Sequence, residues 1–329
     1  MQLSNRVLYS CGVFFAAISM LYTAPASAQS TRTWVSGSGN DANPCTRAAP
    51  CQTFGAAHAQ TAAGGEINCL DTGGFGPITI TKSITIDCTG NFGSILVGPG
   101  TSGVLINTPG VTVVLRGLAI NGGTPTATGN SGIRFLQGAS LTVIDCYISN
   151  FTAGSTTVSV GQAINFSPNS SAAELQVVDT VVANNRIGIL LAPNGSGSAN
   201  VTLERATVIN NATFGLRLTT SSNLSTGAFL VARNSTFTGN GTGLSLFTPV
   251  GSTFAVAKLV DSTFTASPGI GVSAEGALVR ADVSGSTITN NGTGVSATSG
   301  AILLSYLDNL VDRNGAGGDG AFTGAVSKR

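Results

Sequence analysis

Hydrophobic and polar residues alternate in short segments along most of the chain. In Leu141-Thr142-Val143 and Val201-Thr202-Leu203 the outer two residues are apolar and the middle one is polar. Strand side chains point alternately to opposite faces, so this pattern predicts strands with one face in a core and the other in solvent. The 44 glycines and the abundant Ser, Thr and Asn favour short strands and tight turns over helices.

A longer sequence motif that includes these strands repeats along the chain. It runs from an apolar strand through a small corner residue and an apolar residue to Asn-Asn, and ends on Gly with an aliphatic residue. The clearest copies are residues 177–189, 203–216 and 285–295. A repeat of this length predicts a stacked solenoid, in which a single coil cannot bury its apolar face alone.

The apolar residue that follows the corner aligns the coils. Aligned in this way, successive copies are 22 to 34 residues apart: Ile86, Ile120, Ile148, Val182, Val208, Phe237, Phe264, Ile288 and Leu310. A hexapeptide solenoid would hold a stricter period. Coils of variable length above twenty residues favour an all-β fold, a single-stranded right-handed parallel β-helix of about nine coils.

Two positions of the repeat have predicted structural roles. The small residue after the corner is expected to form one inward column: Cys146, Thr180, Ala206, Ser235, Ser262 and Ser286. Cys146 is then a buried small apolar residue, because nothing nearby would lower its pKa. The paired asparagines at Asn184, Asn210 and Asn290, with Asn150 related, fall at the next bend. Asn tolerates left-handed backbone angles, and its amide can bond to turn backbone or to the same Asn one coil away.

These features resemble the pectin-lyase-like superfamily of right-handed parallel β-helices over about residues 65–314. The Asn bend is similar to the asparagine ladder of that family. Residues 33–41 and 50–54 resemble the start of bacterial secreted β-helix repeat proteins, which implies a short capping helix, here Thr53 to Ala63. Such a cap covers strand edges and core at the open end of a solenoid. The expected segments are a signal peptide (1–28), an entry segment and cap (29–64), the β-helix (65–314) and a Gly-rich tail (315–329).

The start of the chain is typical of a secretory signal peptide. Arg6 supplies a basic residue, residues 7–21 are mostly apolar, and Ala26-Ser27-Ala28 matches a small-x-small cleavage site. We therefore expect an exported protein, periplasmic or extracellular. No later stretch reaches the ~20 apolar residues of a membrane-spanning helix.

The cysteines fit an exported protein. Cys45 and Cys51 lie six residues apart in one loop, and Cys69 and Cys88 each follow an apolar strand-like run, so two disulfides are predicted. A metal site is the rival interpretation, but a second pair of close ligands is missing and His58 is the only histidine. We accordingly predict no metal.

The low charge of the chain limits the classes of molecule that it could bind. Only 9% of residues are charged and the net charge is +1, without the basic stripe that nucleic acids require. The family resemblance implies acidic polysaccharides instead. Pectate lyases place calcium-binding Asp residues beside a catalytic Arg or Lys, whereas polygalacturonase-like hydrolases use clustered Asp residues with Gly-His-Gly. That hydrolase pattern is absent from this chain.

Two sets of charged residues remain as candidates. The corner column runs Asp145, Asp179, Arg205, Asn234, Asp261 and Gly285. Its first three residues could bind calcium and act in a lyase; the alternative is a solvated corner in which Arg205 relieves Asp179. Arg134 and Arg217 are the only charges in the outward stripe of the third strand, and could bind an anionic glycan.

Two functional hypotheses follow. The first is an exported, non-catalytic β-helix that needs no cofactor and binds glycan or a cell-surface partner along an outer face. The alternative is a lyase acting on an acidic polysaccharide, with calcium as its cofactor. A fold alone does not decide between them.

Overall fold

The computed structural model describes residues 29–124, 127–153, 160–224 and 226–327. The predicted signal peptide lies outside the described residues. The described residues form one helix, Phe54–Gln60, and three long sheets of parallel strands. This helix is too short to cross a membrane, and no other helix occurs in the described part of the chain.

Each complete turn of the solenoid contributes one strand to each long sheet. The first sheet has 12 strands. In spatial order they are Ser30–Val35, Thr61–Cys69, Ile84–Asp87, Thr112–Arg116, Ser140–Ile144, Ala172–Val178, Ser198–Glu204, Ala228–Arg233, Ala255–Val260, Val279–Ser284, Ile302–Ser305 and Gly324–Ala325. The last of these strands lies within the predicted Gly-rich tail.

The other two long sheets have 10 and 9 strands, so the solenoid makes about ten turns. The second sheet comprises Gly73–Gly74, Gly93–Leu96, Leu118–Asn121, Tyr147–Ser149, Val181–Ala183, Thr207–Ile209, Thr236–Thr238, Thr263–Thr265, Thr287–Thr289 and Leu310–Asp312. The third comprises Ile78–Ile80, Ser102–Asn107, Ser131–Gln137, Gln162–Phe166, Ile187–Leu191, Phe214–Thr219, Thr242–Phe247, Ile270–Glu275 and Thr293–Thr298. Two short pairs lie outside them, Gly123–Thr124 with Ala127–Thr128 and Asn194–Gly195 with Ser222–Asn223.

The predicted alternation places the core. Leu141, Leu175 and Val201 stack in register on successive turns of the first sheet, and all three are buried. In the second sheet, Phe237 stacks on Phe264 with ring centroids 4.9 Å apart. The interior is thus a continuous apolar column to which each turn adds one layer, as the repeat predicts.

The coil alignment is confirmed except at its two ends. In the second sheet Ile148 pairs with Ile120, and Ile120 pairs with Ile95 rather than with a residue near Ile86. Ile86 lies in the first sheet, because a turn at residues 88–92 separates its strand from the second-sheet strand of the same coil. At the other end Ile288 pairs with Val311, so Leu310 is out of register by one residue.

The inward column of small residues is confirmed, since all six members are buried. Its hydroxyls also link the turns. The Ser235 N–H donates to Ser262 Oγ and the Ser262 N–H donates to Ser286 Oγ, each at 3.2 Å. Hydroxyls therefore replace some backbone bonds at the corner, where the chain changes sheet.

The two asparagines of each pair have different structural roles at the bend. Asn184 and Asn210 take left-handed backbone angles, with φ of 59° and 55°. The stacked ladder is built by the following residue of each pair. Asn185 Nδ2 donates to Asn211 Oδ1 at 2.9 Å, and Asn211 Nδ2 donates to Asn240 Oδ1 at 2.9 Å. These amides are buried, so each must find its partners on the next turn.

The N-terminal end carries the capping helix and both predicted disulfides. The helix starts after Thr53, whose Oγ1 accepts from the Ala56 N–H at 3.2 Å, and ends at Gln60 rather than Ala63. It stops there because Thr61–Cys69 pairs with the first-sheet strands on both sides. Disulfides join Cys45 to Cys51 and Cys69 to Cys88.

Candidate functional site

The corner between the first and second sheets is a single residue in a left-handed conformation. The φ angles of the corner column are between 48° and 58° at Asp145, Asp179, Arg205, Asn234, Asp261 and Gly285. Gly, Asn and Asp adopt this conformation most readily. Backbone geometry alone therefore accounts for most of the residue types in the column.

Arg205 is engaged by two carboxylates. Its Nε and Nη2 donate to the two oxygens of Asp179 at 2.7 and 2.8 Å, and its Nη1 donates to Glu204 Oε1 at 3.1 Å. The hydrogen bond from Arg205 holds the pKa of Asp179 below its usual value, and the pKa of Arg205 is raised in turn. The guanidinium consequently keeps its proton and is unsuited to act as a base.

Asp145 and Asp179 line one groove of about 490 Å³ at the N-terminal end of the second sheet. Arg205 is not part of its lining. Two aromatic side chains are, and both are exposed: Phe92 retains 67% of its accessible surface and Tyr147 retains 45%. The structure thus places two carboxylates beside two exposed rings, with the arginine outside.

The loop that carries Phe92 is held from several sides. The Cys69–Cys88 disulfide fixes its start, and Asn91 Nδ2 donates to the Cys69 carbonyl at 2.8 Å. The Phe92 carbonyl accepts from the Gly73 N–H at 3.0 Å. The ring is therefore presented by a fixed backbone, which lowers the ordering cost of binding a ligand.

Tyr147 stands out on the outer face of the second sheet. It pairs with Ala119 on one side and Val181 on the other, so its ring rises above smaller neighbours. Sequence reasoning did not select Tyr147 or Phe92. The available signal for Tyr147 was its place in the repeat, because the matching residues in the next two turns are Val181 and Thr207.

Arg134 and Arg217 share an outward column of the third sheet but do not meet. Asn165 and Leu190 separate them in the register, so their backbones are ~14 Å apart at ordinary strand spacing. Arg217 lies over the rings of Phe214 and Phe247, at 4.6 and 5.1 Å from their centroids. Burial lowers the pKa of Arg217, although nearby Glu275 acts in the opposite direction.

The potential metal ligands are scattered. Within the described ranges, no three His, Cys, Asp or Glu side chains are grouped so that they could hold a metal ion. His58 is buried in the capping helix, where burial and Lys82 lower its pKa. Calcium takes six to eight oxygen ligands, whereas the groove offers two carboxylates, one of them bound to Arg205.

Comparison with solved structures gives three matches at low sequence identity. The pectate lyase Pel9A superposes with a TM-score of 0.65 at 15% identity, covering 90% of this chain and 78% of that one. A Dettilon tailspike protein matches with a TM-score of 0.39 at 12% identity over 80% and 60% of the two chains. The periplasmic alginate epimerase AlgG matches with a TM-score of 0.28 at 11% identity over 71% and 74%.

Sequence comparison gives the family. No curated protein sequence matches the chain. The model of the right-handed β-helix region matches residues 79–255, which is more than half of the chain. Together with the three parallel sheets and the stacked asparagines, this match shows that the chain belongs to the right-handed β-helix family.

Proposed function

We propose that this protein is exported and binds a glycan, without cleaving it, in the groove beside Asp145 and Asp179. The observation that carries the proposal is the presence of Phe92 and Tyr147, both exposed, next to those carboxylates. Apolar faces of sugar rings pack against aromatic rings, and carboxylates accept hydrogen bonds from sugar hydroxyls. A largely apolar groove with a few polar groups is also the usual form of a ligand site.

The charge of the groove favours a neutral glycan. Arg205 offsets the charge of Asp179, but no ion pair joins Asp145 to another described residue. Its lining residues include no Lys or Arg. A uronic acid placed there would be repelled by Asp145, whereas a neutral sugar would donate its hydroxyls to it.

The same contacts disfavour the lyase alternative. A lyase base must be unprotonated at the working pH so that it can accept a proton from the substrate. Asp179 and Glu204 raise the pKa of Arg205, which keeps the guanidinium protonated. Asp179 is occupied by Arg205, which leaves Asp145 as the one carboxylate of the groove without such a partner. Binding needs none of these groups to change protonation.

The proposal is tested by measuring glycan affinity for the wild type and two matched variants. Tyr147→Ala should weaken binding of a neutral oligosaccharide about tenfold, because it removes about 1.4 kcal/mol of ring contact. Phe229→Ala is the control: Phe229 is 47% exposed, close to the 45% of Tyr147, but lies on the first sheet outside the groove. Equal losses in both variants would contradict the assignment of the groove.

Catalysis is tested separately. The protein is incubated with acidic and neutral polysaccharides, with and without calcium, and unsaturated products are followed by absorbance. We expect no product. Product formation that disappears in Arg205→Ala would establish the lyase and overturn the non-catalytic proposal.

A further inference from the structure

A second cavity, of about 370 Å³, lies on the third sheet beside Arg134. Thr79, Leu105 and Arg134 occupy consecutive positions of one outward column and form its floor. Thr101, which precedes the strand Ser102–Asn107, and Ser102, the first residue of that strand, form a wall. No acidic residue lines the cavity.

Arg134 lacks the partners that a half-buried arginine normally has. Its Nε is buried without a hydrogen bond, and no ion pair joins it to any carboxylate in the described ranges. The hydroxyls of Thr79 and Ser102 likewise make no side-chain hydrogen bond with a described residue. An unpaired cation at a partly desolvated position is costly, and an external anion would offset that cost.

Arg217 shows how the same column satisfies an arginine elsewhere. Its guanidinium lies over two aromatic rings, and the nearby Glu275 carboxylate favours its charged form. Arg134 has neither kind of contact among the described residues. The difference between two arginines in equivalent positions points to a ligand at the first.

We propose that the cavity beside Arg134 is an oxyanion-binding site, in which the guanidinium and the hydroxyls of Thr79 and Ser102 hold a carboxylate or sulfate group. Arginine suits such groups because its planar donors match their oxygen geometry. The floor residue Leu105 supplies an apolar contact for the carbon skeleton that carries the anion. This site lies on a different sheet from the groove, so its test is independent of the test of the proposed function.

The test is calorimetric titration of the full mature chain at low ionic strength. The probes are glucuronate, glucose 6-sulfate, inorganic sulfate and glucose. We expect the anions to bind and glucose not to bind. Tighter binding of the two sugar anions than of inorganic sulfate would identify a glycan substituent as the ligand, and equal binding would identify the free oxyanion; both results support the site.

Three variants complete the test. Arg134→Gln should weaken anion binding at least tenfold, and Arg217→Gln, its matched control, should leave it unchanged. Leu105→Asp places a carboxylate in the cavity and should abolish binding even if Arg134→Gln fails to fold. Anion binding that survives in Leu105→Asp, or that is lost equally in both arginine variants, would overturn the proposal, as would absence of binding by every anion at millimolar concentration.

Discussion

The asparagine ladder gives the sharpest test of what holds the solenoid together. Asn211 is fully buried, and its side chain makes four hydrogen bonds. Its Oδ1 accepts from the backbone N–H and from Nδ2 of Asn185, at 3.0 and 2.9 Å. Its Nδ2 donates to Asn240 Oδ1 at 2.9 Å and to the Val182 carbonyl at 3.3 Å.

Asn211→Ala removes all four bonds. Loss of three of them costs about 1 kcal/mol each, and loss of the fourth, which leaves a buried N–H without an acceptor, costs about 1 to 3 kcal/mol. The Asn185 N–H is left in that state. We therefore expect the free energy of unfolding to fall by about 4 to 6 kcal/mol, at the upper end of single-residue effects.

The neighbouring residue provides the control. Asn210 is exposed, has φ of 55° and makes no side-chain hydrogen bond with a described residue, while Gly239 occupies the matching place in the next turn. Asn210→Gly should therefore change stability by less than about 1 kcal/mol. Urea unfolding followed by circular dichroism, with disulfides intact, measures both. A loss below about 1 kcal/mol in Asn211→Ala, or equal losses in the two variants, would refute the division of roles between the asparagines.

Two further predictions concern titratable groups. Burial raises the pKa of the Cys146 thiol to about 12. This thiol should therefore resist alkylation at pH 8 in the native protein and react only after unfolding, which mass spectrometry would measure. Rapid labelling of the native protein would contradict its burial. Burial, and secondarily Lys82, lower the pKa of His58 below its ordinary 6.5, so the unfolded state binds the proton more readily and stability should decline as pH falls below about 6.5. His58→Gln should remove this part of the pH dependence from thermal unfolding curves, and an unchanged pH profile would argue against it.

Much of the coil could be predicted because its signals are local. Strand alternation, a small inward residue and an Asn-Asn bend recur in nearly every turn, and each has a direct backbone cause. The predicted coil alignment was wrong at its two ends, at Ile86 and Leu310, where the repeated motif is incomplete. There the register depends on the turn at residues 88–92 and on the pairing of the last strands.

The candidate site was predictable only in part. The repeat placed Asp145 and Asp179 on neighbouring turns, and the structure has them lining one groove. The repeat also offered the pairing of Arg205 with Asp179 as an alternative, but it could not predict the further contact of Arg205 with Glu204, because one outward position allows several side-chain directions. Phe92 was also missed, since its place depends on a loop held by a disulfide and by Asn91.

The sequence by itself determined the stacked β-helix, its inward column and its bends, because the same few residues repeat wherever the chain must turn or bury a face. Only the tertiary structure decided which surface residues meet. The groove beside Tyr147 joins five separate stretches of the chain, and the cavity beside Arg134 joins three others. These contacts between distant residues depend on loop paths and side-chain directions that each occur once in the molecule. A feature that occurs once produces no periodic pattern in the sequence.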